Sequence, residues 1–218
     1  MMLKVGIIGA TGQAGSELTK AAQASGQIEV TALVRNGEKA KTMLGDQVKV
    51  LEKDAFALTK ADLADFDVIV DAFATAPDQS YLQVDLAAKL VSFFRETTSP
   101  RLVFILGAGS LQTGEDHHLF VDDIAKTPGA NEWIAIPQNQ LAELEFLQNV
   151  KNVNWVGVSP GAEFKVGPKA TAVKYGHDEL LFNDQGESFT TYATMGEVLT
   201  KEIIEPQYHQ ERFTVINQ

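Results

Sequence analysis

The sequence predicts an α/β fold in which a doubly wound parallel sheet carries helices on both faces. Short apolar runs rich in β-branched residues alternate with helical stretches, which is typical of βαβ units. A glycine-rich turn lies between the first predicted strand and the first predicted helix. No linker-like Gly/Ser/Pro tract, internal repeat or low-complexity segment divides the 218 residues, so we expect a single domain that spans residues 1–218.

The first third of the chain predicts strands that alternate with short helices. Residues 5–8 form an apolar strand, and residues 13–25 place Ala14 and Leu18 on one helical face before Gly26, a typical helix terminator. The later elements that the same criteria predict are a strand at 29–34, a helix at 37–44 and strands at 48–51 and 68–70.

The rest of the chain continues the alternation. A helix is predicted to open at the Pro77-Asp78 pair, with the aspartate as its cap, and to stop at residues 97–100. Residues 102–106 are the most continuous apolar run, as expected of a central strand. Residues 107–137 and 161–186 lack clear periodicity, and long loops of this kind tend to be functional. The remaining predicted elements are a helix around Leu141, Leu144 and Leu147, a strand at 155–158 and a final strand at 212–216.

Composition and charge limit the possible partners. Subtracting 29 acidic from 18 basic residues leaves a net charge of −11, which disfavours non-specific binding to nucleic acid and to anionic membranes. The sequence has no cysteine, which excludes disulfides, thiolate metal sites and a cysteine nucleophile. No apolar stretch approaches the ~20 residues that cross a bilayer, and the first residues do not resemble a signal peptide. We therefore expect a cytoplasmic monomer or homodimer that binds neither nucleic acid nor membrane.

The glycine-rich turn has the pattern G-x-x-G-x-x-G, a variant of the dinucleotide-binding fingerprint. It comprises Gly9, Ala10, Thr11, Gly12, Gln13, Ala14 and Gly15. A turn without Cβ atoms lets backbone N–H groups approach a pyrophosphate, and the dipole of the following helix favours the negative charge. The flanking strand and helix supply the context that the motif requires, so we expect a Rossmann-type site. The alternative is a tight strand–helix turn that binds nothing.

The residue at the end of the second predicted strand indicates the type of dinucleotide. NAD-binding folds place an acid ~20 residues after the motif, against the ribose 2′-hydroxyl. Here that position is Arg35, whose planar guanidinium suits a 2′-phosphate. We therefore expect NADP(H) to be preferred and NAD(H) to be possible. A solvated surface arginine is the alternative interpretation.

Two further segments should lie against the nucleotide, because ligands bind beyond the carboxyl ends of parallel strands. Asp54 and Ala55 follow the third predicted strand and are expected near the adenine. Phe73, Ala74 and Thr75 follow the fourth predicted strand and are expected along the cofactor. Asp54 is equally well explained as a helix cap.

Four segments together resemble atypical short-chain dehydrogenase/reductases. They are 9–15, 33–36 (Leu-Val-Arg-Asn), 105–111 (Ile-Leu-Gly-Ala-Gly-Ser-Leu) and 159–164 (Ser-Pro-Gly-Ala-Glu-Phe). The sequence is most similar to the NAD(P)H-binding proteins termed NADH-flavin reductase-like, which are related to biliverdin reductase B and NmrA-like proteins. The resemblance implies a bound nicotinamide nucleotide. It also implies that Ser110, the candidate catalytic residue, lies beside the nicotinamide, with Pro160 and Gly161 along the carboxamide.

The chain lacks the Tyr-x-x-x-Lys pair that supports carbonyl–alcohol chemistry in many members of that family. None of the four tyrosines has a lysine four residues later; they are Tyr81, Tyr175, Tyr192 and Tyr208. We therefore expect an NAD(P)H-dependent oxidoreductase that reduces a flavin, a quinone or a similar conjugated acceptor by hydride transfer, since solvent can protonate such a product. The alternative is a non-catalytic redox sensor or regulatory protein of the NmrA-like type that binds NADP(H).

His117 and His118 lie in an acidic segment that suggests a metal site. Adjacent histidines point apart in an extended chain and seldom share one metal, and no standard zinc spacing is present. We expect a solvated loop without a metal, in which one histidine could rim the substrate pocket as a proton donor.

Overall fold

Strands and helices alternate along residues 2–218, the part of the chain that the computed structural model describes. In chain order the strands are β1 (Leu3–Ile8), β2 (Ile28–Val34), β3 (Lys49–Glu52), β4 (Val68–Asp71), β5 (Thr97–Ile105), β6 (Gln112–Thr113), β7 (His118–Leu119), β8 (Val153–Ser159), β9 (Glu163–Lys165), β10 (Val173–Gly176), β11 (Phe189–Thr191) and β12 (Arg212–Asn217). The α-helices are α1 (Gln13–Ala24), α2 (Gly37–Leu44), α3 (Lys60–Leu63), α4 (Leu82–Phe94), α5 (Phe120–Ile124), α6 (Ala135–Gln148) and α7 (Tyr192–Ile204).

Eight of these strands form the central sheet, in the order β10-β12-β8-β5-β4-β1-β2-β3. All neighbours pair in parallel except β10, which runs antiparallel to β12 at one edge. The strand order runs outward in opposite directions from β1 and β4. The crevice at their carboxyl ends is therefore the topological switch point, where ligands of such sheets bind.

The core lies on both faces of the sheet, which confirms the predicted doubly wound fold. Neighbouring residues of β4 show the arrangement: Val70 packs in the cluster that includes Leu18 of α1 and Met195 of α7. Ile69 faces the opposite cluster with Leu86 of α4, and helix α6 also packs there. A strand buried on both faces is mostly apolar, which explains the Val-Ile-Val run that precedes Asp71.

The predicted bounds need correction around α4. Residues 97–100 begin β5 instead of ending the helix, which stops at Phe94. The Pro77-Asp78 pair belongs to a separate 3-10 turn, Pro77–Gln79, and α4 has no side-chain cap. The Ser80 hydroxyl ends that turn by donating to the carbonyl oxygen of Pro77, which explains why the helix starts later than predicted.

Helix α7 and strands β9, β10 and β11 were not predicted. Thr191 begins α7 as a cap, because its side chain accepts a hydrogen bond from the N–H of Thr194. Gly196 lets this helix pack closely on the backbone of α1. The predicted loop at 107–137 contains the β6–β7 hairpin and α5, and its last residues form the start of α6. Within residues 2–218, no helix is both long and apolar enough to cross a membrane.

Candidate functional site

The glycine turn joins β1 to α1 at the carboxyl edge of the sheet. Gly9 has a φ of +77°, and a Cβ at this position would lie 2.5 Å from the carbonyl oxygen of Ala72. A Cβ on Gly15 would lie directly against the carbonyl oxygen of Gly9. Both positions therefore require glycine for reasons internal to the fold.

Gly12 differs from these two glycines. Its backbone is extended, with φ −77° and ψ 174°, and an added Cβ would meet only the carbonyl oxygen of Gly9, at 3.2 Å. It is the N-cap of α1, and no side chain caps the first turn. The helix therefore presents its backbone N–H groups and its positive dipole end outward. Glycine at this position keeps that end accessible to an anion.

A groove of about 240 Å³ begins at this turn and follows the carboxyl ends of β1, β2 and β4. Eight of the predicted cofactor residues line it: Gly9, Thr11, Gly12, Arg35, Asp54, Ala55, Phe73 and Ala74. A second recess of about 620 Å³ shares four of these residues and adds Thr75. The two recesses therefore adjoin each other along the switch-point crevice.

One end of the groove is cationic, since Arg35, Lys39 and Lys53 line it together. Arg101 forms a buried ion pair with Glu202, and the buried Arg212 pairs with the exposed Asp178, whereas Arg35 is exposed and has no hydrogen-bond or ion-pair partner among residues 2–218. The Lys53 ammonium lies 2.7 Å from Asp62. The groove therefore offers the unpaired guanidinium of Arg35, with Lys39 and the paired Lys53 in the same lining, and a guanidinium suits a phosphate.

Asp54 and Phe73 shape the floor of the groove. The Asp54 carboxylate accepts a hydrogen bond from the N–H of Phe56 at 2.8 Å, so it caps the short turn that follows β3. The ring of Phe73 packs edge-on against that of Phe56, with centroids 5.9 Å apart. The N–H of Phe73 donates to Asp71 at 2.9 Å, which fixes the backbone after β4. Asp54 is thus a cap and also lines the groove.

Ser110 lies outside this groove, in the turn after β5, and is only 4% exposed. Its hydroxyl donates to the carbonyl oxygen of Gly107 at 3.2 Å and accepts a hydrogen bond from Arg212 at 3.0 Å. The Ser159 hydroxyl makes the same two contacts at 2.9 and 3.1 Å. Arg212 is in turn held by Asp178 at 2.6 Å. The Ser110 hydroxyl is therefore committed to a buried network.

Pro160 and Gly161 follow β8 and also lie outside the groove. The N–H of Gly161 donates to the Thr190 hydroxyl at 2.8 Å, which ties this turn to β11. Gln13 lines a separate cavity of about 170 Å³ together with residues of α1, α7 and the segment after β9. Ala14 and Gly15 form the first turn of α1. The structure thus groups most of the predicted cofactor residues and leaves Gln13, Ser110, Pro160 and Gly161 apart.

The two histidines interact with neighbouring acids. The ring nitrogens of His118 lie 2.6 Å from Asp116 and 2.8 Å from Asp123. These carboxylates raise the pKa of His118 above its usual value. His117 faces Glu179 at 3.9 Å. Because both nitrogens of His118 are engaged, this side chain is not positioned to donate a proton to a ligand.

Five residues in or near the site were not predicted: Lys39, Lys53, Asp71, Glu143 and Arg212. The sequence carried a signal for Asp71, because a carboxylate rarely ends a strand that is buried on both faces. Lys53 adjoins the predicted Asp54 and follows the same strand. No pattern identified Glu143, since its neighbours in space come from distant parts of the chain.

Comparisons with known proteins agree with this geometry. Residues 9–203 match the model of a family described as NAD(P)H-binding. The Bacillus subtilis protein YwnB, itself uncharacterised, is 36% identical over 217 residues, and the match covers 99% of both chains. A solved structure from Lactobacillus casei is 35% identical, with a TM-score of 0.91 over 99% of each chain. A Streptococcus pneumoniae protein provisionally named NADH-flavin reductase is 29% identical, with a TM-score of 0.88 over 99% of this chain and 100% of that chain.

These matches confirm the resemblance found in the sequence. They extend over nearly the whole chain and include the glycine turn, the groove and the sheet that carries them. The chain therefore belongs to the NAD(P)H-binding family.

Proposed function

We propose that the chain is an NADPH-dependent reductase of a flavin, a quinone or a similar conjugated acceptor. The observation that carries this proposal is the groove itself, which joins a glycine turn at a helix N-terminus to the unpaired guanidinium of Arg35. The residues present fit a dinucleotide phosphate: the turn leaves room for a pyrophosphate at Gly12, and the cations lie at the other end of the same groove.

Each part of the groove would hold a different part of the nucleotide. The backbone N–H groups of the glycine turn and α1 would bind the pyrophosphate, while Arg35 with Lys39 and Lys53 would bind the 2′-phosphate. Phe73 and Ala74 would form the wall beneath the cofactor. NADPH, when bound, supplies the hydride, and the protein positions it and excludes water.

The class of acceptor follows from the missing proton relay. No tyrosine is followed four residues later by lysine, so the pair that lowers the barrier for carbonyl–alcohol chemistry is lacking. Hydride addition to a flavin or a quinone leaves a delocalised anion, which depends less on such a pair. The name of the Streptococcus pneumoniae relative supports a flavin as acceptor.

The burial of Ser110 favours a second candidate function. Its hydroxyl is held between Gly107 and Arg212, so the residue expected beside the nicotinamide does not present a free group. A protein that binds NADP(H) without turnover, as a redox sensor, needs no such group. Oxidation of NADPH on addition of FMN, FAD or a quinone distinguishes a reductase from a sensor.

The nucleotide part of the proposal is tested by titrating NADPH and NADH into the unmodified protein and an Arg35→Ala variant. A charge-assisted hydrogen bond contributes about 1.5–3 kcal/mol, so we expect NADPH to bind roughly 10- to 150-fold more tightly than NADH. Arg35→Ala should lose this preference and leave NADH binding nearly unchanged. Arg95→Ala, which removes an exposed arginine between α4 and β5, is the matched control. Equal affinity of the unmodified protein for both nucleotides would contradict the proposal.

A further inference from the structure

The position of the phosphate groups determines where an acceptor must bind. With the 2′-phosphate at Arg35, after β2, and the pyrophosphate at Gly12, after β1, the rest of an extended nucleotide continues past β4 towards β5. These two strands lie beyond β1 in the sheet, and two strand spacings are about 10 Å, which half of an extended dinucleotide can reach. The reacting ring, and with it the acceptor, therefore belongs at the carboxyl ends of β5 and its neighbour β8.

The strand ends at this position carry no charge of their own. Residues 105–111, which end β5 and form the following turn, contain no charged side chain, and neither do residues 159–162 after β8. Arg212 lies behind both turns, but it is buried and paired with Asp178 at 2.6 Å. Within residues 2–218, these strand ends therefore offer no free cation to an acceptor.

Two acid-rich segments follow these strand ends. Residues 112–126 form the β6–β7 hairpin and α5, and residues 177–187 come directly after β10. Together they contain eight acids and one lysine, and we call them the acidic rim. The lysine, Lys126, is paired with Asp123 at 2.9 Å, and a protonated His118 would offset one further charge. The acidic rim therefore keeps a clear excess of negative charge.

The acidic rim is fixed beside the turn after β5. Its two segments contact each other, because the N–H of Gln112 donates to the carbonyl oxygen of Asp178 at 2.7 Å and the N–H of Leu180 donates to the carbonyl oxygen of Gln112 at 2.8 Å. Leu180 also packs with Ala108 and Leu111 in a small apolar cluster. The negative charges therefore lie at the end of the site where the acceptor belongs.

We propose that the acceptor carries no phosphate or other anionic group, so that riboflavin or a neutral quinone is preferred over FMN and FAD, an inference that rests on the proposed function. The unpaired cation of the site, Arg35, lies at the opposite end, where the nucleotide phosphate binds. A cleft between low-dielectric walls strengthens the field of the charges that line it, and like charges that face each other are unfavourable. A phosphate on the acceptor would meet this repulsion without a cation to offset it.

The charge preference is tested by comparing riboflavin with FMN, which differ only by a phosphate, in the oxidation of NADPH. NADPH is kept saturating at every salt concentration, so that FMN does not bind at the cationic end of the groove. At low ionic strength we expect kcat/KM for riboflavin to exceed that for FMN by about tenfold or more. The ratio should fall as salt screens the acidic rim. A neutral naphthoquinone and its sulfonate repeat the comparison on a smaller ring.

A variant of the acidic rim tests the origin of the preference. Glu115→Gln/Asp122→Asn removes two exposed charges, one from the hairpin and one from α5. At low ionic strength it should raise kcat/KM for FMN relative to riboflavin by about threefold or more. Glu145→Gln, which changes an exposed acid of α6 outside the acidic rim, is the matched control and should leave the ratio unchanged.

The outcomes separate this inference from the proposed function. If the unmodified protein reduces FMN at least as efficiently as riboflavin, the inference is overturned and the reductase function stands. A preference for riboflavin that neither salt nor the Glu115→Gln/Asp122→Asn variant changes also overturns it, because FMN would then be excluded by its size. A protein that binds NADPH but oxidises it with none of these acceptors refutes the reductase function and the inference with it.

Discussion

The three glycines of the turn after β1 are subject to different physical constraints. Gly9 has a positive φ and touches Ala72, and Gly15 touches the carbonyl of Gly9, so both are required by the fold. At Gly12 the backbone suits any residue and the space inside the protein is nearly sufficient for a side chain. Ligand binding is therefore a better explanation for glycine at this position than folding.

This difference predicts that Gly12→Val separates binding from stability. The valine side chain should occupy the space that a pyrophosphate needs, while its backbone keeps the extended conformation that β-branched residues favour. We expect loss of measurable NADPH binding in titration calorimetry with a nearly unchanged Tm. Gly15→Val should lower the Tm as well, because its Cβ meets backbone. Micromolar NADPH affinity in Gly12→Val would refute the role assigned to the turn.

The buried pair of Asp71 and Glu143 predicts how stability depends on pH. In the unfolded chain both groups ionise near pH 4, whereas burial keeps a proton on the folded pair up to about pH 7. The folded state binds more protons in this window, so the free energy of unfolding falls as the pH rises from about 4 to about 7. Each retained proton contributes a slope of up to ~1.4 kcal/mol per pH unit.

Urea unfolding of the unmodified protein and the Asp71→Asn/Glu143→Gln variant at a series of pH values measures this effect. We expect the double variant to lose most of the slope between about pH 4 and about pH 7. His118, whose pKa is raised by its two carboxylates, contributes stability below its unfolded pKa that is lost at higher pH in both proteins. The difference between the two proteins therefore isolates the pair. Parallel curves would show that the pair ionises normally in the folded state.

At the scale of elements, helix α7 fixes the position of α1. A Cβ on Gly196 would lie 2.8 Å from the backbone of Glu17, so the two helices approach each other as closely as their main chains allow. Met195 and Leu199 of α7 join Leu18 of α1 in the same apolar cluster. Because α1 carries the glycine turn at its N-terminus, this packing also places the groove.

We expect Gly196→Val to separate the two helices. Inserting a branched side chain at a close contact costs about 1–3 kcal/mol, which urea unfolding should show as a lower midpoint with a similar m-value. The displacement of α1 should also weaken NADPH binding. Glu197→Val, at an exposed position of the same helix, should cost less than about 1 kcal/mol. Helix propensity alone would make Gly196→Val slightly stabilising, so equal effects of the two substitutions would contradict the close contact between α7 and α1.

The sequence predicted the parallel part of the sheet well because each strand there has its own local signal. The apolar runs of β1, β4 and β5 and the glycine turn are visible within a few residues. Helix α7 was missed although Met195, Leu199 and Ile203 recur at helical spacing, a signal that was available. Strand β10 has no comparable signal, because this edge strand is exposed or only partly buried along its length and contains no apolar run.

The site was predicted as far as it depends on continuous segments. The groove gathers the glycine turn with the residues that follow β2, β3 and β4, as the rule for parallel sheets requires. Ser110 was placed beside the nicotinamide by resemblance, and that role stays a prediction. No local pattern could reveal that its hydroxyl is bound by Arg212, which lies 102 residues later in the chain. The meeting of Asp71 with Glu143 is likewise a product of tertiary packing.

At the scale of the whole molecule, charged residues and tyrosines are unevenly distributed. The net charge is −11, yet one end of the groove gathers Arg35, Lys39 and Lys53. The general surface therefore repels anions, while this end attracts them locally. The tyrosines, by contrast, are dispersed over the residue before α4, β10, α7 and the segment before β12, and none of them lines the groove.

This dispersal predicts that no single tyrosine is essential. Burial raises the pKa of Tyr175, Tyr192 and Tyr208 above the usual value, which makes them poorer acids near neutral pH. We expect each Tyr→Phe variant, including Tyr81→Phe, to lower kcat by less than tenfold, a barrier change below about 1.4 kcal/mol. NADPH oxidation with FMN, FAD and quinones measures this. A tyrosine whose removal abolishes turnover would reveal a proton relay formed in some other way.

The position of β12 has a consequence for biosynthesis. This strand lies between β8 and β10, although it is the last strand along the sequence. While the ribosome is still making residues 160–211, β8 keeps an open edge of unpaired backbone groups, and Ser110, Ser159 and Asp178 lack the guanidinium of Arg212. Open parallel edges invite association between nascent chains. The sheet and the network behind Ser110 are thus completed together, in a late step of folding.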